Sequence, residues 1–160
     1  MNITIIGTGY VGLVTGACFS EFGVHVRCVD RLDDKIEKLN RGEVPIYEPG
    51  LDELVARNLS SGRLSFTTDT AEAIKDALVL FIAVGTPSAD DGSTDLRSIE
   101  AVAREIGQHI DDYKVIVTKS TAPVGTSDKL RDWIQEELDH RGDKTQFSVA
   151  SNPEFLREGA

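Results

Sequence analysis

No stretch of this 160-residue chain approaches the ~20 consecutive apolar residues that a membrane span needs. Met1 runs directly into NITIIGTGYVG without the basic lead of a secretory signal, so neither export nor membrane insertion is expected, and a cytoplasmic protein is. Cysteine is scarce. Cys18 and Cys28 have no CxxC arrangement and no histidine at metal-ligand spacing, which argues against both a disulfide framework and a metal site. Both are expected to be small buried side chains, Cys18 in a helix and Cys28 in a strand, and neither to be a nucleophile. His25, His109 and His140 are scattered and receive no catalytic role. Basic residues are also short: 17 Lys and Arg against 27 Asp and Glu leave a net charge of -10 and no footprint for nucleic acid. An anionic ligand would have to be held by local geometry. Acidic pairs such as Asp33-Asp34 and Glu136-Glu137 read as solvated faces that keep the chain in solution.

What the chain does have is alternation. Apolar runs rich in Val and Ile at 3–7, 24–30, 77–84, 114–120 and 146–151 read as strands, with a weaker one at 63–69. Amphipathic stretches near 10–22, 33–40, 50–58, 70–76, 97–109 and 125–139 read as helices between them. This order predicts an α/β fold: a doubly wound parallel sheet of the Rossmann type, with right-handed crossovers and helices on both faces. At 40% hydrophobic residues the length is enough for one substantial core and too short for two, so residues 1–160 are expected to form a single domain.

The most specific local signal is ITIIGTGYVGLVTGACFSEFGVHVRCVD. Gly7, Gly9 and Gly12 form G-x-G-x-x-G after a strand and at the start of a helix, where a tight turn and a close backbone approach to a pyrophosphate both need glycine. The phosphates would meet the helix N-terminus, whose amides and dipole offset the overall negative charge. Asp30 ends the second strand, 18 residues after Gly12, where a carboxylate accepts hydrogen bonds from the adenosine ribose hydroxyls; this favours NAD over NADP. A plain turn or cap residue is the rival reading of Asp30. Arg31 could pair with a 2'-phosphate, but the neighbouring carboxylate would repel one.

Ligands of open α/β sheets lie outside the carboxyl ends of the strands. Three loops fall there. In VGTPSADDGSTD, Gly85 and Pro87 would shape a turn that presents Thr86 to the cofactor. KSTAPVGTSDKL sets Ser120 and Thr121 at a strand end and Thr126 or Ser127 at a helix start, and SNPEFLREGA follows the last strand. Alone each reads as a turn or a cap; on one sheet edge beside a dinucleotide site they read as an active-site wall.

GTGYVGL, YEPGL (47–51), VGTP (84–87), STAPVGT (120–126) and NPEFLREG (152–159) occur in the order and spacing of the nucleotide-sugar 6-dehydrogenases. Over its whole length the chain resembles the N-terminal, NAD-binding domain of the UDP-glucose/GDP-mannose dehydrogenase family. Short-chain dehydrogenases fit poorly, because none of Tyr10, Tyr47 and Tyr113 has a lysine four positions later.

The resemblance implies a two-step, four-electron oxidation of UDP-glucose to UDP-glucuronate with two NAD molecules in turn, in which a cysteine traps the aldehyde as a thiohemiacetal and then carries a thioester to hydrolysis. GDP-mannose is the alternative substrate within the family, and a stand-alone NAD-binding regulatory module is the alternative outside enzymes. The family's cysteine, lysine, asparagine and aspartate would lie beyond Ala160, with the central helix and the substrate domain. The chain is therefore expected to end inside an active site and to be inactive alone. It is also expected to be a monomer, the full-length enzyme a homodimer.

By the same resemblance Gly7, Gly9 and Gly12 receive the pyrophosphate, Tyr10 and Val11 at the helix start also bind the cofactor, and Asp30 and Lys35 receive the adenosine ribose. Thr86 and Ser120 face the inner part of NAD. Thr121 and Glu154 position water or assist proton transfer, and Glu158 lies near the nicotinamide. Phe155 and Leu156, together with Glu154, contact the nucleotide sugar. Glu154 and Glu158 are four apart, so a solvated acidic helix face is their plain alternative.

Overall fold

A computed structural model describes residues 1–88 and 91–155. Each predicted apolar run becomes a strand: β1 (Asn2–Ile6), β2 (His25–Val29), β3 (Leu64–Thr67), β4 (Val79–Ile82), β5 (Lys114–Thr118) and β6 (Phe147–Ser151). The helices between them are α1 (Tyr10–Glu21), α2 (Asp33–Asn40), α3 (Leu51–Ser60), α4 (Thr70–Asp76), α5 (Arg97–His109) and α6 (Thr126–Arg141). All the strand pairs are parallel, in the order β3-β2-β1-β4-β5-β6. The order reverses between β1 and β4, which opens a crevice at their carboxyl ends. The weak run at 63–69 is the edge strand β3, where Leu64 and Phe66 are buried and Ser65 faces solvent, so its pattern alternates and has no continuous apolar run.

Strand alternation divides the core into two layers. Ile5, Cys28, Phe66 and Phe81 pack against Leu13 and Ala17 of α1, Leu39 of α2 and Val55 of α3. On the other face Leu80, Ile82 and Ile116 meet Ile74 of α4, Ile106 of α5 and Ile134 of α6. Two of the polar groups caught in the second layer are paired: the Thr4 hydroxyl donates to the Ala73 carbonyl at 2.8 Å, and Lys114 Nζ to the Lys75 carbonyl at 2.7 Å, whereas the buried Thr118 hydroxyl has no hydrogen-bond partner among the described residues.

Helix α1 lies so close to the sheet that a Cβ on Gly16 would come 2.6 Å from the Cys28 sulfur. With Leu13, Gly16, Ala17 and Ser20 turned to the sheet, Cys18 points outward and is exposed, which corrects the expectation that both cysteines are buried. The helix is apolar nearly all round, so its sequence held no signal for which side faces in. Among the described residues no helix is long and apolar enough to cross a membrane.

Candidate functional site

The crevice floor is the turn from β1 into α1. Gly7 has φ +108, in the left-handed region, and a Cβ there would lie 2.5 Å from the Ala83 carbonyl oxygen at the end of β4. Gly12 rests on the Gly7 carbonyl, leaving no room for a side chain. Gly9 differs: nothing lies within 4 Å of where its Cβ would be, so its lack of a side chain keeps open a space directly over the α1 N-terminus. No side chain caps that terminus and no acid sits in its first turn. Amides, dipole and open space together fit a pyrophosphate.

Asp30, at the end of β2, is held on every side. Its Oδ2 accepts from the Thr8 hydroxyl at 2.5 Å, from Lys35 Nζ at 3.0 Å and from the Thr8 amide at 3.3 Å, while among the described residues Oδ1 accepts only from the Leu32 amide, at 3.3 Å. Burial works to raise the Asp30 pKa, but the Thr8 hydroxyl, the Lys35 ammonium and the Leu32 amide outweigh it and hold the carboxyl below the ordinary range. Asp30 is thus an ionised acceptor of fixed orientation, with Oδ1 the oxygen that has capacity left. Thr8, 1% exposed, was not among the predicted site residues. Nothing in the glycine motif signals that its second position must carry a hydroxyl.

The loops after β4 and β5 are clipped together. Ser120 Oγ donates to the Val84 carbonyl at 2.6 Å and Thr86 Oγ1 to the Thr121 carbonyl at 2.8 Å. Both hydroxyls therefore donate across the wall of the crevice and offer it only lone pairs. Lys119 Nζ reaches Asn152 Oδ1 at 3.1 Å, which brings the loop after β6 to the same edge.

Two connected spaces result. The outer one, about 430 Å³, is bounded by Asp30, Arg31, Leu32 and Lys35 on one side and by Ser98, Ala101, Val102 and Glu105 of α5 on the other. The α5 residues recur at helical spacing and form one face, which the sequence reading missed because the same pattern reads as a plain amphipathic helix. The inner space, about 250 Å³, is lined by Tyr10, Val11, Thr86, Lys119, Ser120, Thr121 and Glu154. Gly9, Ala83, Val84 and Gly85 line both. Among the predicted site residues, Phe155 stands apart with 92% exposure and lines neither space, and Leu156 and Glu158 lie outside the described residues. Neither Cys18 nor Cys28 lines the crevice.

Comparison with known proteins bears on this geometry. The sequence profile of the UDP-glucose/GDP-mannose dehydrogenase family, NAD binding domain, matches residues 1–160. The UDP-glucose 6-dehydrogenase of Pseudomonas aeruginosa is 49% identical over 160 residues, which is 100% of this chain and 35% of that protein. A UDP-glucose dehydrogenase from the hyperthermophilic archaeon Pyrobaculum islandicum superposes with a TM-score of 0.91 at 44% identity, over 99% of this chain and 37% of that one. A GDP-mannose dehydrogenase from Pseudomonas aeruginosa, solved as a ternary complex, does so with a TM-score of 0.90 at 44% identity, with the same coverage of 99% and 37%. The chain thus spans about a third of the length of the curated relative it matches.

Proposed function

The chain belongs to the UDP-glucose/GDP-mannose dehydrogenase family, as its NAD-binding domain, and on that premise we propose that it serves the oxidation of UDP-glucose at C6 to UDP-glucuronate. Its cofactor is NAD. The observation that carries the proposal is the continuity of the crevice: Gly9, Ala83, Val84 and Gly85 join an end built around Asp30 to an end built around Thr121 and Glu154. GDP-mannose is the second reading, supported by the structural likeness to a GDP-mannose dehydrogenase. UDP-glucose is preferred because UDP-glucose 6-dehydrogenases from several bacteria are 49 to 53% identical to the chain, against 44% for the GDP-mannose dehydrogenase.

In this reading the amides at the start of α1 and the space over Gly9 take the pyrophosphate. Oδ1 of Asp30 accepts from an adenosine ribose hydroxyl, while Lys35 and Thr8 hold the carboxylate still. Thr86 and Ser120 keep the loops after β4 and β5 at a fixed separation, so that the inner space retains its width. NAD, when bound, supplies the hydride acceptor for each of two oxidations. Thr121 and Glu154 orient water and move protons at the inner end; a carboxylate and a hydroxyl on residues lining one space suit both tasks. The family resemblance assigns Phe155 and Leu156 apolar contacts to the nucleotide sugar, and Glu158 a role at the nicotinamide end. Residues 1–160 are one NAD-binding domain of a longer cytoplasmic protein, a homodimer whose remainder supplies the substrate domain.

Calorimetric titration with NAD and NADP tests the site. NAD is expected to bind more tightly, because an ionised Asp30 repels a 2'-phosphate, and Asp30→Ala is expected to lose about 1–3 kcal/mol of NAD affinity. Equal or tighter binding of NADP would reject the assignment of Asp30.

A further inference from the structure

The YEPGL stretch plays no part in the function argued above, yet one of its side chains reaches the site. Residues 41–50 form no regular element, but their side chains alternate: Val44, Ile46 and Glu48 turn inward, while Glu43, Pro45 and Tyr47 face solvent. Val44 and Ile46 pack onto the core layer that contains Leu13 and Ala17 of α1. Glu48 continues that inward row, and its carboxylate accepts a hydrogen bond from the Tyr10 hydroxyl at 2.8 Å. The segment is pinned just beyond this point, where the Leu51 amide donates to the Glu48 carbonyl at 3.1 Å and the Leu51 side chain is 2% exposed. Glu48 is therefore presented from an anchored backbone. Tyr10 is the first residue of α1, adjacent to Gly9, and lines the inner space with Thr121 and Glu154.

We propose that Glu48 is a positioning residue of the cofactor site, fixing through Tyr10 the wall against which the nicotinamide half of NAD lies. The proposal rests on the reading of the crevice as an NAD site. A phenol donating to a carboxylate is a charge-assisted bond, stronger than a neutral one, and it favours one orientation of the half-buried ring. Because the ring lines the inner space and not the outer one, loss of the bond should be felt by a ligand whose nicotinamide fills the inner space and not by one that lacks the nicotinamide.

The test is calorimetry on the 160-residue chain with NAD and with ADP-ribose, which lacks the nicotinamide, alongside the melting temperature of each ligand-free variant. Glu48→Ala is expected to weaken NAD about five- to ten-fold, the scale of one hydrogen bond, and to leave ADP-ribose within about two-fold. Glu48→Gln, which keeps an acceptor, is expected to retain most of the NAD affinity. Tyr10→Phe should lose at least as much NAD affinity, and the double variant Tyr10→Phe/Glu48→Ala should be no worse than Tyr10→Phe alone, because Glu48 acts through that hydroxyl. Unchanged NAD affinity in Glu48→Ala, or an equal loss for NAD and ADP-ribose, overturns the proposal. So does a lowered melting temperature with both affinities intact, which would make the bond a structural tie alone. A wild-type chain that binds neither ligand overturns the NAD-site reading itself, and this proposal with it.

Discussion

Cys18 and Cys28 lie in the same crossover unit, one on α1 and one on β2, and end in different chemical states. Burial drives the Cys28 thiol up to about 12, and Gly16 of α1 lies directly over its sulfur. Cys18 is exposed, with its pKa raised less strongly, by partial burial and by the charge of Glu21. A thiol reacts through its thiolate and only where a reagent can reach it. A colorimetric disulfide reagent at mildly alkaline pH is therefore expected to modify Cys18 slowly in the native chain and Cys28 only after denaturation. Rapid labelling of both in the native state would contradict the packing of α1 on β2. Asp30 makes a related point at the site. The terminal carboxylate was legible because strand and helix lengths are local properties, whereas the hydroxyl that orients it comes from Thr8, 22 residues earlier and one strand away.

The pair α5 and α6 shows how elements are held to one another. Gly107 of α5 lets α6 approach until an added Cβ would meet Glu137 Cβ at 2.6 Å and the Ile134 carbonyl at 2.7 Å. Around this contact Arg104 reaches Glu100, Glu136 and Glu137, and Arg141 donates to the Gly107 and Ile110 carbonyls at 2.8 and 3.1 Å. Two effects oppose each other in Gly107→Ala. Helix propensity favours alanine by about 1 kcal/mol. Overpacking against a backbone carbonyl, which cannot rotate away, costs about 1–3 kcal/mol and sometimes more. The clash is expected to prevail: Gly107→Ala should lower the urea midpoint and the melting temperature, even though in an exposed helix the same change would stabilise. Since α5 also supplies the Ser98–Glu105 side of the crevice, the variant should weaken NAD binding as well.

For the whole molecule the decisive quantity is the share of its relatives' length that the chain spans. The chain covers 35% of the Pseudomonas aeruginosa UDP-glucose 6-dehydrogenase. In the proposed reading Thr121 and Glu154 orient water and cofactor, but the two thiols of the chain are a buried one and one on the outer side of α1, and neither borders the crevice. Groups that act as a unit leave little rate when some are absent. The 160-residue chain is therefore expected to form no NADH at 340 nm from UDP-glucose or GDP-mannose with saturating NAD, while a version extended past Ala160 turns over. Light scattering is expected to show a monomer. Sustained turnover by the short chain would place a nucleophile within it and reject the assignment of roles above.

The sequence by itself determined the number and order of the elements, the parallel doubly wound sheet, the glycine turn and the acid at the end of β2. Each of these depends on local periods of two or 3.6 residues and on glycine where the backbone needs it, so neighbouring residues suffice to reveal it. Tertiary structure alone decided which way α1 faces, because a helix apolar nearly all round carries no directional signal and close packing at Gly12 and Gly16 chooses the face. It also decided that Ser120 clips the loop after β5 to Val84, 36 residues away, that Thr8 orients Asp30, and that Glu48 meets Tyr10 across 38 residues. Those partners come together only when separate crossovers stack on one sheet edge, and a hydrogen bond between side chains so far apart leaves no periodicity to read.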